Sequence, residues 1–159
     1  TNHYKKEYDN FPKLPIWMFT EVLTLGELSV FFKGLNNDYK KKIASCFQLF
    51  HHKSLIPFFH RLSITRNICA HHGRLWNREL SVTGTLKQSD WETVDKNKLF
   101  FTVVVMVNML KSRDILDNWY DILAKIIAPK LEVKKYRRQM GFPDNWQEHP
   151  LLPKFEVKK

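Results

Sequence analysis

The sequence predicts an all-α fold, and three observations carry that expectation. Apolar residues recur at helical spacing in separate stretches beginning near Tyr39, Leu55 and Ile115. Helix start and stop residues bracket those stretches, among them Thr24 with Glu27, Asn36, Gly73 and Pro129. With 159 residues, 43% of them hydrophobic and 14% aromatic, the chain has material for one core, and it shows neither internal repeats nor low-complexity linkers. One continuous domain over residues 1–159 is expected.

The elements follow in chain order. Residues 1–14 are polar and aromatic and contain Pro12; Pro15, Ile16 and Trp17 then open an apolar segment that runs to about Leu35. That segment should break at Thr24, because Thr24 and Glu27 have the spacing of a capping box, in which each side chain bonds to the other's backbone N–H. Asn36, Asn37 and Asp38 offer N-caps for a helix whose apolar face is Tyr39, Ile43, Phe47 and Phe50, with Lys40, Lys41 and Lys42 on the other. Ser54 is positioned to cap the next helix, with Pro57 in a first turn that has no intrahelical donor to lose. Along it, Leu55, Phe58, Phe59, Leu62 and Cys69 form a stripe, and Arg66 falls in the same phase, so a guanidinium is expected among apolar neighbours. Gly73 is placed to end the helix.

From Arg74 to about Lys96 the period disappears into a long loop with room for a short hairpin at Leu80 to Leu86, and loops of this length tend to be functional. Leu99 to Leu110 is Val-rich, as strands are, but long, as buried helices are; periodicity leaves both open. Ile115, Trp119, Ile122, Leu123, Ile126 and Ile127 make the cleanest amphipathic helix, stopped by Pro129. Residues 129–159 form a basic and aromatic tail, with Lys130, Lys134, Lys135, Arg137 and Arg138 ahead of Gly141, Phe142, Pro143 and Trp146.

Composition narrows the function. Lys and Arg outnumber Asp and Glu by 26 to 16, for a formal net charge of +10, which attracts polyanions such as nucleic acid in a salt-dependent way. Two cysteines, Cys46 and Cys69, make no disulfide framework and no zinc or redox pair, which fits a reducing cytoplasm. The chain opens with no signal-peptide pattern, and the Leu99 to Leu110 run falls short of the roughly 20 residues that span a bilayer, so no membrane partner is expected. Since the first residue is Thr1, the chain reads as part of something longer. His51-His52 and His71-His72 lack a carboxylate or Cys at ligand spacing, and the five glycines make no nucleotide-binding loop; neither a metal nor a cofactor is expected.

Chemistry concentrates at Arg66-Asn67-Ile68-Cys69-Ala70-His71-His72-Gly73-Arg74-Leu75-Trp76-Asn77-Arg78. Cutting RNA requires a base for the 2′-hydroxyl, an acid for the leaving 5′-oxygen and positive donors for charge growing on the phosphate. An imidazole exchanges protons near neutrality, and a guanidinium presents a fork to phosphate oxygens. Arg66 and His71 are therefore the candidate catalytic residues, with Asn67 placed to orient one of them or the substrate, and His72, Arg74, Trp76, Asn77 and Arg78 the candidate RNA contacts.

Arg-x-x-x-x-His at the end of a buried helix resembles the signature of HEPN-domain ribonucleases. The longer wording from Arg66 to Asn77, with Pro15-Ile16-Trp17, Glu21, Gly26 and Leu28-Ser29 upstream and Met140-Gly141-Phe142-Pro143 and Trp146 downstream, is similar to the Abi-like (abortive-infection) proteins. The resemblance implies a HEPN-like helical bundle forming the C-terminal region of a longer protein. It also implies a two-fold homodimer that pairs two copies of the motif, metal-independent cleavage leaving a 2′,3′-cyclic phosphate, growth arrest during phage infection, and restraint by an RNA or protein antitoxin. Five helical steps set His71 roughly 140° around the axis from Arg66, so a second copy would complete the site.

Other readings stay open. Arg66 could pair with a buried carboxylate such as Glu21 while His71 meets terminal carbonyls, and Trp76 could anchor the loop to the core. The domain could equally be a non-catalytic HEPN module that binds RNA or a protein, or a structural dimerisation unit.

Overall fold

A computed structural model of the chain describes residues 2–7, 15–47, 51–80, 94–112, 129, 132–150 and 152. Among these, every regular element is helical: α1 (Asn2–Glu7), α2 (Ile16–Val22), α3 (Leu25–Gly34), α4 (Asn37–Ser45), α5 (His52–Ala70), α6 (Leu99–Lys111) and α7 (Lys134–Gln139), with a final 3₁₀ turn at Trp146–Glu148. The all-α expectation is met for the described residues. The amphipathic stretch Ile115 to Ile127, Phe50, Pro12 and nearly all of the hairpin expected at Leu80 to Leu86 lie outside them.

Local capping signals explain the starts of α3 and α4. Thr24 Oγ1 accepts the Glu27 backbone N–H at 3.2 Å and a Glu27 carboxylate oxygen accepts the Thr24 N–H at 2.8 Å, completing the capping box that starts α3. Asn36 caps α4 by accepting the Asp38 N–H at 3.0 Å. The start of α5 differs from expectation. His51, directly before the first helical residue, is the N-cap, its Nδ1 accepting the Lys53 N–H at 3.3 Å, and Ser54 is a buried residue of the first turn. An imidazole nitrogen accepts as a short hydroxyl does, so it takes the cap. Pro57 therefore sits in the helix interior, where its missing N–H leaves the Lys53 carbonyl without its usual i+4 donor.

α6 resolves the helix-or-strand ambiguity of Leu99 to Leu110 in favour of helix. Phe100, Phe101, Val104, Val105 and Val107 are buried, so the helix is apolar around most of its circumference and takes the centre of the core. One apolar cluster joins Phe32 of α3, Ala44 of α4, Leu55 and Phe58 of α5, the α6 residues and, from the C-terminal segment, Phe142, Trp146 and Leu152. α3 and α4 both pack against α5, and the Phe32 and Phe59 rings meet edge to face at 4.9 Å. Gly141, at φ 77°, closes α7; a side chain there would run into Lys98, so only glycine lets the aromatic turn come down on α6. Phe142 then lies 4.7 Å from Phe100.

An apolar groove of about 550 Å³ runs between α2, α3, α4 and α5, with Leu28, Phe31, Leu35, Ile43 and Phe59 in its walls. Ile16 and Trp17, which open the apolar segment, are exposed on α2, as is Val22. No described helix is long and apolar enough to cross a membrane.

Candidate functional site

The candidate site is built on the last turns of α5 and the segment from His71 to Leu80. Burial along α5 ends before the helix does: Leu55, Phe58 and Arg61 are buried, Thr65 and Ile68 half-buried, and Arg66, Asn67, Cys69, Ala70 and His71 exposed. The expected stripe is thus interrupted. Arg66 and Cys69 share its angular phase but stand beyond the apolar partners, and phase alone does not tell where a partner stops. The guanidinium that does sit in the core is Arg61, three residues on from Phe58, with only 1% of its surface exposed.

Arg66, Asn67 and His71 all stand at this exposed end. The Asn67 carboxamide oxygen accepts a hydrogen bond from the Arg66 guanidinium at 3.2 Å, and the Asn67 carbonyl accepts the His71 N–H at 3.0 Å, the ordinary i to i+4 bond of the last helical turn. Among the described residues Arg66 makes no ion pair, and Glu21 is exposed on α2, so the alternative of a buried Arg66–Glu21 pair is not what forms. The helix closes with a Schellman motif. The Gly73 N–H donates to the Ile68 carbonyl at 2.7 Å and the His72 N–H to the Cys69 carbonyl at 3.1 Å, which fixes the backbone of His71 at the junction.

In that motif the left-handed position is held by His72, at φ 53°, and not by Gly73. Gly73 is needed for a different reason: a Cβ there would meet the Ile68 carbonyl oxygen at 3.0 Å. Asn77 is also left-handed, at φ 52°, beside a turn in which the Arg78 N–H reaches the Leu75 carbonyl at 3.3 Å. These are the two non-glycine residues with positive φ among the described residues, and both fall in the candidate site. Strained backbone concentrates where function constrains it.

His72, Arg74, Asn77 and Arg78 are exposed on this loop. Trp76 is half-buried, its ring edge-on to Tyr136 of α7 at 4.3 Å, and its buried indole nitrogen has no hydrogen-bond partner among the described residues. It joins the loop to α7, the anchoring role left open by the sequence. At the loop's far end Glu79 pairs with Lys98 at 3.5 Å. Leu80 is buried and donates its N–H to the Asn97 carbonyl at 2.7 Å.

Sequence reasoning passed over Arg61. Its Nε donates to Thr102 Oγ1 at 2.7 Å, and its two terminal nitrogens donate to the carbonyls of Leu80 at 2.7 Å, Lys96 at 2.6 Å and Lys98 at 2.8 Å. The guanidinium also lies 5.0 Å from the Phe101 ring centre. Burial pushes its pKa down to about 10 and nearby Asp95 opposes that shift, so it stays charged at neutral pH. The available signal was its spacing of three from Phe58, which places it on the buried line.

Both cysteines are exposed and free, and among the described residues no group of three His, Cys, Asp or Glu side chains is arranged to hold a metal ion. Residues 1–77 match the model of a family described as Abi-like protein. The matched span takes in α1 to α5, the three candidate catalytic residues and the loop as far as Asn77; the wording from Met140 to Trp146 lies beyond it. No curated protein and no solved structure matches the chain.

Proposed function

We propose that the chain is a metal-independent endoribonuclease of the HEPN type, acting as an abortive-infection effector. The observation that carries this reading is the exposed end of α5, where Arg66, hydrogen-bonded to Asn67, and His71 stand at the root of an exposed basic loop. Its similarity over residues 1–77 to Abi-like proteins supports the antiphage role.

In the proposed reaction the ribose 2′-oxygen attacks the adjacent phosphorus while the imidazole of His71 takes the 2′-hydroxyl proton. The bond to the 5′-oxygen breaks, that oxygen gains a proton from an imidazolium, and a 2′,3′-cyclic phosphate remains. Arg66 neutralises charge gathering on the non-bridging oxygens, and Asn67 aims its guanidinium. Two copies of the motif in a homodimer supply the base and the acid together. His72, Arg74, Asn77 and Arg78 hold the RNA backbone, Trp76 keeps their loop in place, and an RNA or protein antitoxin restrains the site.

The test is RNA cleavage in EDTA by the wild type, Arg66→Ala and His71→Ala. Each substitution is expected to lower the rate by roughly 10²- to 10⁴-fold with folding intact. Undiminished cleavage in both variants removes these residues from the chemistry. A second reading, a non-catalytic module that binds RNA or a partner protein, is favoured by the open lie of the basic loop and predicts RNA binding with no cut products and no growth arrest.

A further inference from the structure

Arg61 lies outside the candidate site, is buried, and spends its fork on the backbone that follows that site. The loop leaves α5 at His71, and its described stretch reaches Leu80, whose carbonyl accepts a hydrogen bond from Arg61. Arg61 stands ten residues before His71 on the same helix, a rise of about 15 Å. The loop must therefore double back along α5, past the level of Arg66, to reach its tether. The same guanidinium holds Lys96, Lys98 and Thr102, so one side chain fastens the loop's exit, the entry to α6 and α6 itself to the helix that carries the motif.

We propose that Arg61 is the positioning residue of the candidate site, setting where His72, Arg74, Asn77 and Arg78 stand relative to Arg66 by tethering Leu80 to α5. The proposal rests on the reading of that loop as an RNA contact. Among the described residues Arg61 meets four acceptors, three carbonyls and a hydroxyl, which a planar five-donor fork can satisfy, whereas an ammonium with three donors would leave one without a bond. The tether should act on substrate binding and leave the chemistry of Arg66 and His71, held by Asn67 and the helix end, largely as it is.

The test compares the wild-type protein with Arg61→Lys in two assays. In limited trypsin digestion of the folded protein, cutting after Arg74 and Arg78, both exposed, is expected to speed up relative to cutting after Lys41 and Lys42 on α4. In RNA cleavage, KM is expected to rise roughly tenfold or more while kcat stays within about twofold. A folded variant with unchanged cutting after Arg74 and Arg78, or one that loses kcat at unchanged KM, overturns the proposal. If Arg61→Lys does not fold, Thr102→Val, which removes one acceptor, takes its place with the same expected directions. A wild-type protein that cuts no RNA defeats the nuclease reading, and the trypsin comparison then decides the tether alone.

Discussion

At His72 the backbone adopts the left-handed conformation in the middle of a helix-ending motif, a position that glycine fills at less expense. The same motif at the end of α7 has glycine there, Gly141. The contrast allows a direct prediction: His72→Gly should raise the unfolding free energy by up to about 1 kcal/mol in urea titration if relief of the left-handed strain outweighs the added chain entropy. A fall in stability would show that the His72 side chain makes a contribution larger than its strain. Cleavage should weaken in the same variant, because His72 is one of the proposed RNA contacts. The order Arg66, Asn67, His71 was legible in the sequence because composition and spacing are visible there. The identity of the left-handed residue was not: Gly73 looks like the obvious helix stop, and only the hydrogen-bond register assigns it the following position. Arg61 was hidden for a related reason. Two arginines on one helix both lie near an apolar line, and which one the core encloses depends on where α6 and the loop end meet α5.

The starts of α3 and α4 were well read, since a cap is a local contact between residues two or three apart. Thr24→Ala should destabilise α3 by about 1 kcal/mol, measured as a shift in the urea midpoint at constant slope. The Thr24 N–H and hydroxyl both hold the Glu27 carboxyl below its usual range, so its contribution is present above the unfolded carboxylate pKa and fades as pH falls through the folded one. α5 was misread at its start because a histidine served as the cap. Beside that cap, burial first and then the charges of His51, Lys41, Lys53 and Lys40 push the His52 pKa below its ordinary 6.5. Between the folded and unfolded pKa the unfolded chain binds more protons, so stability should fall as pH drops below 6.5. His52→Gln should flatten the difference in urea midpoint between about pH 7.5 and about pH 5.5. An unaltered pH dependence in this variant would place the acid sensitivity elsewhere.

On the scale of the whole molecule, α6 and the C-terminal aromatic turn share one core with α3, α4 and the first half of α5, while the candidate site stands at the end of α5 where that core runs out. The long apolar run at Leu99 gave α6 its depth from sequence, but the packing of Phe142 and Trp146 onto it depends on Gly141 passing Lys98, a long-range contact with no local trace. The exposed triplet is the part of the molecule on which the functional account depends. Its most direct test is an RNA substrate, incubated with the wild-type protein in EDTA, that carries one 2′-deoxy residue at a mapped cleavage position. The account predicts that cutting disappears at that linkage alone and continues elsewhere with 2′,3′-cyclic ends. Continued cutting at the deoxy linkage, or cutting that EDTA abolishes, would contradict it.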